Sequence, residues 1–240
     1  FNHFGGSLFI PSGIKEFYAR SNNITEWNGG QTAIVVDLSF NQLTVAFDLN
    51  SPTTHLWLDF NKIDEEGDVS IMNRMVVLSF SHNMLVEEVT CPLVVEELLD
   101  LSFNRLAYGV DSINTKAFRT LDISHNPLQE LGLSTLVRAG RGSKLHADYN
   151  PLRSLTFPES LKVETLTISH SQAGSSILRA SNNIIASSFL RHIDASYTGV
   201  ESFSFDEHTT LLNTLNLSST LLMAANFSGG CPHVLDLSHN

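Results

Sequence analysis

Few side chains in this sequence are grouped in a way that could do chemistry. Gly140-Arg141-Gly142-Ser143-Lys144 offers the glycines, lysine and hydroxyl of a phosphate-cradling loop, but it lacks the G-x-x-x-x-G-K-[ST] spacing that wraps backbone donors around a phosphate. Asp64-Glu65-Glu66-Gly67-Asp68 places acidic oxygens in one short turn that could hold calcium weakly. It does not fit the twelve-residue EF-hand loop, and a solvated turn accounts for it as well. The signatures H-E-x-x-H, C-x-x-C and G-x-S-x-G do not occur. The histidines recur at wide, regular intervals and do not converge as metal ligands would. The expectation is a chain with no catalytic residue, no metal and no cofactor.

Composition narrows the partners. The chain has 240 residues, 42% hydrophobic and 16% charged, with no composition shift or Ser/Pro-rich linker, which suits one unit with a sizeable core. Lys plus Arg number 14 against 25 Asp plus Glu, a formal net charge of -11. Phosphate backbones and acidic membrane surfaces would repel such a chain. No run of about 18 apolar residues could span a bilayer. The start, Phe1-Asn2-His3-Phe4, shows no secretory leader. Cys91 and Cys231 fall on distant parts of the chain, too far apart for a disulfide, and read as free thiols.

The elements that position everything else are repeats. Leu98-Leu99-Asp100-Leu101-Ser102-Phe103-Asn104 returns as Leu121-Asp122-Ile123-Ser124-His125-Asn126 and as Leu235-Asp236-Leu237-Ser238-His239-Asn240. The pattern L-x-x-L-x-L-x-x-N-x-L gives anchors at Asn22, Asn41, Asn61, Asn83, Asn104, Asn126, Asn150, Ser171, Thr198, Thr220 and Asn240. Their spacings are 19, 20, 22, 21, 22, 24, 21, 27, 22 and 20 residues. On these residues the chain resembles the leucine-rich-repeat family from about Ile14 to Asn240. The return Ala117-Phe118 before Leu121 resembles the A-F-x-x-L-x-L of animal cell-surface repeats such as Toll-like receptors.

The resemblance implies an α/β solenoid dominated by a parallel β-sheet. It would be a curved horseshoe segment with about eleven rungs and short 3₁₀ or extended returns on the convex side, with an occasional short helix. Residues 1–13 read as a degenerate first repeat or a partial N-terminal cap. Residues 14–240 read as solenoid, a piece of a longer one at the C-terminal end.

Each rung has a physical reading. Leu121 and Ile123, two apart on a strand, point to one face, the core. Thr120, Asp122 and Ser124 point the other way, and Phe118 plugs the core ahead of them. After the strand the chain turns and strands its backbone donors and acceptors. A buried Asn amide can serve both, so Asn22, Asn41, Asn61, Asn83, Asn104, Asn126, Asn150 and Asn240 form a structural hydrogen-bond spine. Ser171, Thr198 and Thr220 can pair with fewer groups, and the spine should be weaker there. Leu178-Arg179-Ala180-Ser181-Asn182-Asn183 is either an extra rung or, better, an insertion in one long repeat. Glu96 stands where an apolar residue belongs and suggests a bulge or one-residue shift.

The outward positions are the candidate binding surface. The central one reads Tyr18, Asp37, Trp57, Ser79, Asp100, Asp122, His146, Thr167, Asp194, Asn216 and Asp236. The next is mostly Ser, with Arg20, Asp59 and Asp148 adding charge. Such a strip suits a basic or hydroxyl-rich partner, or else is simply how a soluble rung is written. Trp57, with Tyr18, His55 and Asp59 nearby, is the best anchor for a partner, or an edge residue packing on its neighbours. A further row holds Phe40, Phe60, His82, Phe103, His125, Tyr149, His170, Tyr197, Ser219 and His239. Rings there should stack, and its histidines could repel one another on acidification and lower stability. Asn23, Asn216 and Asn226 each head an N-glycosylation sequon.

The function these features suggest is recognition of a protein or glycoconjugate on the concave face, as in adhesion or innate-recognition receptors, outside the cell or at its surface. The alternative is a cytoplasmic scaffold or a structural assembly component, with flanking repeats or a homo-oligomer possible in either case. Nucleic acid and membrane insertion are not expected.

Overall fold

A computed structural model describes residues 3–29, 32–45, 52–64, 74–86, 94–107, 118–132, 142–156, 162–171, 189–204, 212–227 and 231–240. Eleven short strands form one parallel sheet, with strands numbered in chain order: β2 (Glu16–Tyr18), β4 (Val35–Asp37), β5 (His55–Trp57), β6 (Met75–Ser79), β7 (Val95–Asp100), β8 (Thr120–Asp122), β10 (Ser143–His146), β12 (Val163–Thr167), β13 (His192–Asp194), β15 (Thr214–Asn216) and β17 (Val234–Asp236). Every strand pairs only with the rungs before and after it, as a solenoid requires.

The alternation of the sequence sets the two faces of this sheet. Val36, Leu56, Leu78, Leu99, Leu121, Leu145, Leu166, Ile193 and Leu215 stand in register and are buried. Each such side chain contributes roughly 1.5–3 kcal/mol by leaving water. A second buried row, with Leu38, Leu58, Phe80, Leu101, Ile123, Ala147, Ile168, Ala195 and Leu217, lies two residues further on. Phe118 is buried ahead of β8.

The returns differ from expectation. The described residues contain no helix, neither α nor 3₁₀. Three pairs of return segments instead form two-stranded parallel sheets: β1 (Gly5–Ile10) with β3 (Asn23–Gly29), β9 (Glu130–Gly132) with β11 (Ser154–Thr156), and β14 (Ser202–Ser204) with β16 (Ala224–Asn226). A strand advances about 3.3 Å per residue against 1.5 Å for a helix, so a short return recrosses the coil more readily when extended. Its backbone groups then pair between rungs.

The irregularity at Glu96 is a bulge. Met75 pairs with Val95 and Val77 with Leu98, so Glu96 and Glu97 together oppose Val76. Glu96 turns to an ion pair with Arg74. A similar shift places Glu164 as an extra residue opposite the Ser143–Lys144 step. Ser143 and Lys144 therefore belong to a strand of the main sheet, not to a return, and the buried Ser143 hydroxyl donates to the Phe118 carbonyl at 2.7 Å. Gly140, Arg141, Glu65–Asp68, Cys91, Ala117 and Leu178–Asn183 lie outside the described residues.

Candidate functional site

The open face of the main sheet is built one row at a time. Strand pairing carries Tyr18 to Asp37, Trp57, Ser79, Asp100, Asp122, His146, Thr167, Asp194, Asn216 and Asp236, rung by rung. Asp37 stands between Tyr18 and Trp57, in the order of the row read from the sequence, so the two aromatic residues lie two rungs apart on one face. Tyr18 instead donates its hydroxyl to Glu16 at 3.2 Å, and that bond raises its pKa. Trp57 is half-buried and packs against His55, ring centroids 6.0 Å apart and tilted by 31°. Val77 and Leu98 continue the His55 position onto the next two rungs and are half-buried. Trp57, His55, Val77 and Leu98 thus make an apolar area beside acidic positions, and the sequence reading had missed its aliphatic part.

Most of the acidic row has a structural task. Asp37, Asp100, Asp122, Asp194 and Asp236 each use Oδ1 to accept the backbone N–H two residues on, at 2.9–3.0 Å. Asn216 does the same for Ser218 at 3.0 Å. These bonds hold the strand end as it turns. Five rungs hold a different residue at the centre: Tyr18, Trp57, Ser79, His146 and Thr167. Where Ser79 and Thr167 stand at the centre, Asp59 and Asp148 reach across from the preceding rung. Asp59 accepts from the N–H of Ser81 at 3.0 Å and from the Ser79 hydroxyl. Asp148 accepts from the N–H of Ser169 at 2.8 Å and from the hydroxyls of Ser169 and Thr167. His146 shares Thr167 through a 3.0 Å contact.

Burial is the main influence on the carboxyls at the middle of the face. It raises the pKa of Asp59, opposed by the Ser79 hydroxyl and reinforced by the charge of Asp100. It likewise raises that of Asp100, against the bonds from Ser102 and with the charge of Asp122. At the exposed end, the N–H and hydroxyl of Ser238 hold Asp236 below the usual carboxylate range.

Two more rows run along the rim where the strands turn. Ser21, Phe40, Phe60, His82, Phe103, His125, Tyr149, His170, Tyr197, Ser219 and His239 all have left-handed backbone, φ 54–60°. That conformation costs an L-residue roughly 1–2 kcal/mol. Stacking offsets part of it. From Phe40 to Tyr197 eight rings follow one another at centroid distances of 3.9–4.3 Å with interplanar angles of 11–16°. Arg20 lies over the first, 4.7 Å from the centroid of Phe40. Each of His82, His125 and His170 sits between two Phe or Tyr rings, so among the described residues no imidazole stacks on another.

Next inward, the Asn row links neighbouring rungs. Asn61 Nδ2 donates to its own rung at Leu58 (2.9 Å) and to the preceding one at Leu38 (3.1 Å), while its Oδ1 accepts from Leu43 N–H (3.0 Å). Asn41, Asn83, Asn104, Asn126 and Asn150 repeat this pattern. Asn22 bonds within its turn and accepts from Phe4, and Asn240 reaches Leu217 and Thr220. Thr198 donates only to Ala195 at 2.7 Å among the bonds described, and the buried Ser171 hydroxyl has no hydrogen-bond partner among the described residues.

Comparison with solved structures decides the architecture. The chain superposes on a leucine-rich-repeat protein of Leptospira interrogans with a TM-score of 0.52 and 16% sequence identity, covering 84% of this chain and 60% of that one. The fold is a leucine-rich-repeat-type solenoid. No family model matches the chain, and no curated protein matches it in sequence. The chain thus spans little more than half of the solved solenoid it resembles.

In this solenoid the sequons differ in setting. Asn23 and Asn226 are exposed. Asn216 is half-buried, and its Nδ2 donates to Asp194 at 3.2 Å. No group of three or more His, Cys, Asp or Glu that could hold a metal occurs among the described residues, and they include no helix long and apolar enough to cross a membrane. Cys231 is an exposed free thiol.

Proposed function

We infer that the solenoid is a non-catalytic docking module for a protein or glycoconjugate, and that its open sheet face is the docking surface. The observation carrying this reading is the juxtaposition on β5–β7 of a half-buried Trp57 with His55, Val77 and Leu98, flanked by Asp37, Asp59, Asp100 and Asp122. A large aromatic anchor with aliphatic neighbours and a charged surround is the usual make-up of an interface centre. The acidic surround favours a partner with a basic rim around an apolar knob. Tyr18 at one end and His146 with Asp148, Asp194 and Asp236 towards the other extend the same face. Affinity enrichment with the wild-type chain and with the triple variant Trp57→Ala, Asp100→Ser, Asp122→Ser tests this. Partners should be lost from the triple variant and retained by Glu130→Gln, which lies on the return side. Equal recovery by both variants would rule the face out.

We propose that the chain works in the secretory route or at the cell surface, a reading supported by the resemblance of Ala117-Phe118 and the following strand to Toll-like-receptor-type repeats and by exposed sequons at Asn23 and Asn226. A cytoplasmic scaffold is the second reading, favoured by the exposed free thiol of Cys231, since such thiols are commoner in reducing compartments.

A further inference from the structure

We propose that the break in the ring ladder at Ser219, between Tyr197 and His239, is a slot for the guanidinium of an arginine presented by a partner protein. The ladder runs without interruption from Phe40 to Tyr197. At the next rung the backbone keeps its left-handed turn, φ 55° at Ser219, but the side chain carries no ring. His239 resumes the position one rung later at φ 60°. Rings on successive rungs of this ladder lie 3.9–4.3 Å apart, so two rungs leave about 8 Å between the ring positions of Tyr197 and His239, room for one planar group in contact with both faces. Tyr197 is the most exposed of the large ladder rings, at 55% against 38% for Phe40 at the other end.

The other end of the ladder shows which planar group suits an open ring face in this molecule. There Arg20 covers Phe40 with its guanidinium, 4.7 Å from the centroid. Guanidinium is flat and weakly hydrated and stacks on both sides, whereas an ammonium is a compact, strongly hydrated point charge. The flanking rungs carry Asp194 and Asp236, and the chain as a whole has a formal charge of -11, so a cation is drawn to this rim. Asp236 is held ionised by Ser238. The slot lies on the rim, and its occupancy does not depend on the open face being the main docking surface.

The probes are the capped amino acids acetyl-arginine amide, acetyl-lysine amide and acetyl-tryptophan amide, titrated into the whole chain at matched ionic strength. The readout is the ring resonances of Tyr197, assigned with Tyr197→Phe, and of His239. Acetyl-arginine amide should shift both, with a response at least five-fold greater than that of the lysine probe. Ser219→Phe, which puts a ring where three other rungs carry Phe, should abolish the response and keep or raise the melting temperature. Tyr197→Asn tolerates the left-handed turn and should abolish the His239 response, a second route should Ser219→Phe not fold. The triple variant of the open face should bind the arginine probe like the wild type. Equal arginine and lysine responses, a stronger tryptophan response, or an arginine response surviving Ser219→Phe would each overturn the proposal.

Discussion

Asp59 accepts the backbone N–H of Ser81 from the neighbouring rung, at 3.0 Å, the task that Asp100 performs for Ser102 within its own rung at 2.9 Å. Ser79, at the centre of the Ser81 rung, has no carboxylate for that N–H and instead donates its hydroxyl to Asp59. Asp148 does the same for Ser169 on the rung centred on Thr167. Where these two rungs carry a hydroxyl in place of Asp, the turn contact is supplied from the preceding rung.

This arrangement has an expected electrostatic signature. Burial raises the folded-state pKa of Asp59, so the native chain holds that proton more tightly than the unfolded chain does. The stability linked to this group is present in full below the unfolded carboxyl value, and it is lost as pH rises through the folded value. Asp59→Asn keeps an oxygen for Ser79 and Ser81 and removes the buried charge. Thermal melts should show the variant more stable than wild type at pH 7, with the difference shrinking towards about pH 4. Asp100→Asn should behave alike, since burial raises that carboxyl too.

The Asn spine predicts unequal costs. Asn104 donates to Phe80 and Leu101 carbonyls and accepts from Leu85, all in a buried setting. Asn104→Ala should cost about 2–4 kcal/mol in urea denaturation, because several buried backbone groups lose their partner. Thr198→Ala, which loses one described bond to Ala195, should cost about 1 kcal/mol.

Ser171 offers the reverse experiment. Its buried hydroxyl has no partner among the described residues. An amide there would stand as Asn150 does, with carbonyls of its own rung and the preceding one in reach at 3.0 and 3.1 Å. Ser171→Asn should stabilise by about 1 kcal/mol, measured by the same denaturation.

The ring ladder can be separated from the turn it occupies. Phe103 stacks on His82 at 4.0 Å and on His125 at 3.9 Å. Phe103→Asn suits the left-handed backbone but removes both stacks, and it should cost about 1–2 kcal/mol. Phe103→Val should cost more, since a β-branched residue also meets strain at positive φ.

Much of this was legible in the sequence because a solenoid repeats one local rule. The period of Leu and Asn positions placed all eleven central residues from Tyr18 to Asp236 in the register the strands adopt. The spine residues and the ring row followed from the same frame. What stayed hidden lies between rungs. Nothing in the pattern around Gly5–Ile10 or Ser202–Ser204 marked a second, parallel pairing of the returns. The extra Glu164 opposite the Ser143–Lys144 step left no mark on the rung spacing, an ordinary 21 residues from Asn150 to Ser171. Asp59 and Asp148 read as added surface charge, although their bonds run to the following rung. Val77 and Leu98 drew no notice in the pattern, although the pairing sets them beside the Trp57 row on the open face. A hydrophobic period reports which face a side chain takes, while contacts across rungs depend on register and bulges.

The setting of the sequons bears on compartment. Peptide mass spectrometry on protein from its native source should find glycan on Asn23 or Asn226 and none on Asn216, whose amide is engaged by Asp194. Three bare sequons together with reduced cysteines would favour the scaffold reading.

The docking claim itself is tested most directly by a photo-crosslinking residue placed once at Tyr18, an exposed aromatic position of the open face, and once at Glu130, on a return strand. In extract from the native source, the account predicts a discrete crosslinked partner from position 18 that is absent from position 130 and is suppressed by adding Trp57→Ala and Asp100→Ser. The same partner captured from position 130, or capture at 18 unaffected by those substitutions, would contradict it.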